Sequence, residues 1–103
     1  MKDLAHLQRM LKQAQEMQEK LHKELADLRL EGTSGGGMVS VTLDGQKNLV
    51  AVRLEPAVIN RDDIEMLQDL IVAAFNDAAA KVDNELARRL GTLGAGFKIP
   101  GLV

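Results

Sequence analysis

At 103 residues the chain has room for one domain with a modest core, so association with a second copy is a natural source of further burial. With no cysteine it offers no disulfide, thiolate nucleophile or cysteine-ligated metal, and 46% hydrophobic with 27% charged residues is the balance of an ordinary soluble protein. A net charge of −2 excludes a strongly basic, histone-like polyanion binder; with Phe75 and Phe97 as the only aromatic rings, any nucleic-acid contact must fall mostly on phosphates.

The opening segment MKDLAHLQRM interrupts its apolar residues with charge, unlike a secretory signal, and no apolar run is long enough to cross a bilayer, so the expected location is the cytoplasm, away from membranes. Leu4, Leu7, Leu11, Ala14, Gln18, Leu21, Leu25 and Leu28 follow one another in steps of three and four, a heptad seam with Gln18 as its polar break. Glu16 with Lys20, and Glu19 with Lys23, add helix-supporting pairs four residues apart. The spacing predicts a helix over about 3–25, a rod of roughly 35 Å that a small domain cannot wrap on every side. Leu4, Leu7, Leu11, Leu21 and Leu25 are therefore the expected dimerisation residues, with packing of the seam on the chain's own second helix as the alternative.

Beyond Leu25 the period changes to two, with Ala26, Leu28 and Leu30 alternating with Asp27, Arg29 and Glu31, which predicts a strand over about 26–32. The GTSGGG stretch, Gly32–Gly37, reads as a flexible link. Val39, Val41 and Leu43 alternate with Ser40, Thr42 and Asp44 in a second strand, about 38–44. Asp44 and Gly45 open a hairpin through Gln46 and Lys47 into a third strand, about 48–55, with Val50, Val52 and Leu54 on one face and Pro56 at its end. The exposed strand edges of the sheet offer a second route to a dimer.

Asn60 has the character of an N-cap, with Asp62 and Asp63 placing negative charge in the first turn of a helix over about 61–90. Its apolar stripe is Ile64, Leu67, Ile71, Ala74, Phe75, Ala78, Val82 and Leu86, broad enough to cover one sheet face. Arg88 and Arg89 would fall in its last turn, with Gly91 as the residue that ends it, and the glycine-rich stretch 91–103 is expected to be a mobile tail. The fold class that results is α+β: a long N-terminal helix, a three-stranded antiparallel sheet and a long C-terminal helix, in one domain over 1–103 that forms a homodimer.

Catalytic patterns fail on context. Gly32-Thr33-Ser34-Gly35-Gly36 has the letters of a nucleophile elbow, but a strand follows the serine and both histidines, His6 and His22, precede it. No Gly-Lys-Ser/Thr follows the glycines, so they form no P-loop. His6 and His22 would stand about 24 Å apart along one helix and could not share a metal within the chain. Asp62, Asp63 and Glu65 are accounted for as helix N-terminal acids. No enzyme, metal or cofactor is expected. Lys2, Arg9, Lys12, Lys20 and Lys23 form either a solvated face or a phosphate-contacting one.

The stretch GGGMVSVTLDGQKNLVAVRLEPAVI, Gly35–Ile59, followed by EMLQDLIVAAFNDAAAKV, Glu65–Val82, closely resembles the YbaB/EbfC family of bacterial nucleoid-associated proteins. The Met- and Gln-rich first helix and the C-terminal Ile99-Pro100-Gly101-Leu102-Val103 are similar to that family as well, so the likeness runs over essentially the whole chain. The resemblance implies a homodimer whose helices project from a central core like the arms of tweezers. It further implies binding and bending or compaction of duplex DNA, with roles in the nucleoid and in gene regulation. Charge and placement carry the DNA contact onto Lys2, Arg9, Lys12, Lys20 and Lys23, and onto Arg88, Arg89 and Lys98. A protein–protein adaptor of the same fold, serving recombination or replication factors, is the alternative.

Overall fold

The computed structural model describes residues 2–93. Its elements run α1 (Lys2–Asp27), β1 (Leu30–Ser34), β2 (Val39–Leu43), β3 (Leu49–Leu54) and α2 (Ile64–Leu93). The predicted α-β-β-β-α order is the observed one.

Helix α1 runs to Asp27, two residues past its expected end, because the junction closes it there. The Arg29 guanidinium folds back to donate to the carbonyls of Ala26 (2.7 Å) and Leu28 (2.8 Å), satisfying acceptors that a helix C-terminus leaves open. Ala26 and Leu28 thus belong to the helix end and its junction, not to a strand, and β1 begins only at Leu30. Gly32–Gly37 is no flexible link either. Gly32, Thr33 and Ser34 pair with Val41, Ser40 and Val39 in the ladder, and Gly35–Gly37 form a short 3-10 turn with all three glycines at positive φ.

The sheet order is β1-β2-β3, antiparallel throughout. Val39, Val41 and Leu43 of β2 point to the helix-covered face, where Ala74, Ala78 and Val82 of α2 and Val58 complete the buried core. Leu30, Leu54, Leu67, Leu70, Ile71 and Leu86 close around it. The small side chains of Ala74 and Ala78 let α2 lie almost on the backbone of β1. A Cβ at Gly32 would collide with the Ala74 carbonyl oxygen and the Ala78 amide nitrogen, so only glycine fits there.

The start of α2 is later than Asn60 suggests. Asp63 is the cap, its Oδ1 accepting from the Met66 N–H at 3.2 Å. Asn60 instead closes the turn before it, taking the Asp62 N–H on its side-chain oxygen at 3.0 Å. The helix then passes through Gly91 to Leu93. A helix-interior glycine costs only about 1 kcal/mol, which a 30-residue helix absorbs, so Gly91 does not end it and Arg88 and Arg89 lie short of its last turn. The predicted tail is therefore helical to residue 93, and the rest of it, Lys98 included, lies outside the described residues.

Helix α1 contributes nothing to this core. It leaves the body at the hairpin end of the sheet, giving a molecule of 73 × 25 × 17 Å.

Candidate nucleic-acid interface

Because α1 stands away from the body, both of its faces are open. Leu4, Leu7, Leu11 and Leu21 of the seam are exposed, Leu11 at 63%, and Leu25 and Leu28 are half-buried, at the junction. The seam does not pack on the chain's own α2, which removes the intramolecular alternative.

The cations lie opposite the seam. At 100° per residue, Arg9, Lys12, Lys20 and Lys23 fall within about 80° of one another around the helix, roughly half a turn from the leucines. Glu16 and Asp27 share that sector and dilute its charge, but among the described residues no ion pair engages Arg9, Lys12, Lys20 or Lys23. Lys2 is the first helical residue of the same arm.

The other expected cations are differently placed. Arg88 and Arg89 sit on the part of α2 that continues past the sheet, and both are bonded to Glu85, with Arg88 holding it in a two-pronged contact and Arg89 Nε at 3.0 Å. Donation from Arg88, then from Arg89, holds the Glu85 carboxyl below its ordinary range. Much of the positive charge of that pair is therefore matched locally. The spacing of Glu85 three and four residues before the arginines was a sequence signal for this. Lys47 pairs with Asp83 at 2.7 Å and Lys81 with Asp77 at 3.5 Å. The N-terminal end of α2, with Asp62 and Asp63 just before it and Glu65 and Asp69 within it, is acidic and repels phosphate.

A second open surface is apolar. Helix α2 covers β1 and β2 but not β3, leaving Leu49, Val50 and Val52 exposed. The two sheet edges also differ. Along β1 the outward backbone groups are taken by α2: Thr33 N–H donates to the Asp77 carboxylate (3.0 Å), and Lys81 Nζ donates to the Glu31 carbonyl (2.8 Å). The former holds the Asp77 carboxyl below its ordinary value. Along β3, among the described residues, no side chain reaches the outer backbone groups. Phe75, 37% exposed, and Val72 lie on the flank of α2 turned away from the residues that bond β1. The alternation of Val50, Val52 and Leu54 and the breadth of the α2 stripe were legible in the sequence; that one helix covers only two of three strands was not.

The groups considered for catalysis do not converge. The Ser34 hydroxyl donates to the Leu70 carbonyl, Asp63 is spent as a cap, and His6 and His22 stay on α1. Among the described residues no three His, Cys, Asp or Glu side chains are placed to hold a metal ion, and no helix is long and apolar enough to cross a membrane.

Residues 1–97 match the model of the YbaB/EbfC DNA-binding family. The chain is 43% identical to a nucleoid-associated protein of Caldanaerobacter subterraneus subsp. tengcongensis, over 94% of this chain and 90% of that one. It is 48% identical to a nucleoid-associated protein of Xanthomonas axonopodis pv. citri, over 92% and 91% of the two chains. The crystal structure of an uncharacterised Helicobacter pylori protein is similar with a TM-score of 0.69 and 28% identity, covering 85% of this chain and 94% of that one.

Proposed function

The chain belongs to the YbaB/EbfC DNA-binding family, and from that premise we propose that it works as a homodimer that grips duplex DNA mainly through phosphates and alters its conformation. Its role on this reading is in nucleoid organisation and gene regulation, in the place that the names of its relatives give them. The observation that carries the reading is the face of α1 where Arg9, Lys12, Lys20 and Lys23 gather, without ion-pair partners among the described residues, on an arm that projects from the body. Lysine and arginine on a projecting helix contact phosphates without reading bases, so binding should be weakly sequence-selective and steeply salt-dependent. Lys2 and Lys98 are further expected contacts by charge, and Arg88 and Arg89 are secondary ones because Glu85 already occupies them.

The second copy covers the two apolar surfaces that one chain leaves open. The flank made by Val50 and Val52 of β3 with Phe75 of α2 suits a self-complementary contact between bodies. The narrow seam of Leu4, Leu7, Leu11, Leu21 and Leu25 suits a helix of the second copy, which would turn the cation face outward. Sedimentation at micromolar concentration should give twice the chain mass, and a gel-shift titration on duplex DNA should give a complex that dissolves as salt rises. A monomer that shifts DNA would overturn the dimer. A dimer that shifts none would overturn the DNA reading and favour a protein partner for the arms.

A further inference from the structure

Helix α1 is about 39 Å long, yet the hydrogen bonds that tie it to the sheet fall at one place, the tip of the β2–β3 hairpin. There the Gly45 N–H donates to the Leu25 carbonyl at 2.8 Å, and the side chains of Gln46 and His22 meet at 2.9 Å. The approach is close. A Cβ at Gly45 would stand 2.7 Å from the Leu25 carbonyl oxygen and 3.0 Å from its Cα, so any larger residue must push the helix away.

The tip itself is densely hydrogen-bonded. The Asp44 carboxylate accepts from the Gln46 N–H (2.8 Å), the Asn48 N–H (2.9 Å) and the Asn48 side-chain amide (3.0 Å), while Lys47 holds a positive φ of 64°. On its far side Lys47 pairs with Asp83 of α2. One five-residue turn therefore touches both long helices, with a backbone bond to one and an ion pair to the other.

We propose that this turn, Asp44–Asn48, is a socket that sets the angle between α1 and α2 and so positions the cation face of α1 for DNA. Gly45 is its critical positioning residue; it touches no DNA. A long arm anchored at one end turns a small change at the socket into a large one at its tip, so loss of the contact should misplace Arg9 and Lys12 more than Lys23. The proposal rests on the reading of α1 as the DNA-contacting arm, but its geometric half can be tested without DNA.

The chain has no cysteine, so nitroxide labels can be placed at Gln13→Cys on α1 and Ala80→Cys on α2 and their separation measured by electron paramagnetic resonance, with labelled chains diluted into unlabelled ones. The parent should give a narrow distance distribution. Gly45→Val should shift or broaden it while far-ultraviolet circular dichroism stays that of the parent, and duplex affinity should fall several-fold although every cation is retained. Gly45→Ala should lie between the two. If Gly45→Val does not fold, the exposed pair Gln46→Ala with Lys47→Ala is read in its place, and broadening is again the expected result. An unchanged distribution in the folded variant overturns the socket. A changed distribution with unchanged affinity overturns its role in positioning. If the parent binds no duplex, the functional reading fails, and the distances still decide whether the socket exists.

Discussion

Val41 and Val52 stand opposite each other in the β2–β3 register, on the same face of the sheet, yet Val41 is 1% exposed and Val52 44%. The difference is made by α2, which crosses β1 and β2 and stops short of β3. The pair therefore separates burial already complete within the chain from an apolar position left open, which the proposed second chain would cover.

Val41→Ala should lower folding stability by about 2 kcal/mol in chemical denaturation, since it empties a closed core position. Val52→Glu with Phe75→Glu should leave each chain folded but halve the mass seen in sedimentation, because a charge would be buried without a partner at the contact. A dimer of undiminished affinity in that variant would remove the β3 flank from the interface. Leu11→Glu with Leu21→Glu asks the same question of the α1 seam.

Gly32→Ala tests how closely α2 sits on the sheet. The added methyl meets backbone, not a flexible side chain, so α2 must move away from β1. The expected loss is about 1–3 kcal/mol in the urea midpoint series, as for other overpacked cores. A neutral result would mean that the helix and strand stand further apart than described.

Acid should weaken the hairpin tip in a definite direction. Donation from the Asn48 side chain, then from its backbone, holds the Asp44 carboxyl below the ordinary aspartate value. The folded state thus favours the ionised form, and the stability this adds is complete above the ordinary value and lost as pH falls through the depressed one. Thermal midpoints measured from neutral pH into acid should fall in the parent, whereas Asp44→Asn should start lower and fall less. Parallel curves for the two proteins would show that Asp44 carries none of the acid sensitivity.

Much of the fold was legible because its signals are periodic. The three-and-four spacing from Leu4 to Leu25 marks α1, and the alternation from Val39 to Leu43 marks β2. What failed were the places where tertiary contacts outweigh local pattern. Ala26 and Leu28 alternate like a strand, yet the Arg29 cap and the Gly45 contact hold them at a helix end. Gly32–Ser34 look like a linker but form a strand, because only a glycine lets α2 approach. Of the candidate interface, Arg9 and the lysines of α1 could be read from charge and spacing. The pairing of Arg88 and Arg89 with Glu85 was signalled by their spacing, whereas the open flank of β3 follows only from where α2 lies on the sheet.

The central claim is that DNA meets the cation face of α1, and the salt dependence of duplex affinity tests it most directly. Titrations of the parent, of Lys12→Glu with Lys20→Glu, and of Lys47→Glu should be run across a series of salt concentrations. Each phosphate contact adds about 0.9 to the slope of log affinity against log salt, so the α1 variant should bind more weakly and with a flatter slope. Lys47→Glu can lower affinity by loosening the turn that holds α1, but it removes no phosphate contact on this account, so it should change the slope less. An α1 variant with the parent's affinity and slope, or a larger change of slope at Lys47, would contradict the account and move the DNA to the sheet.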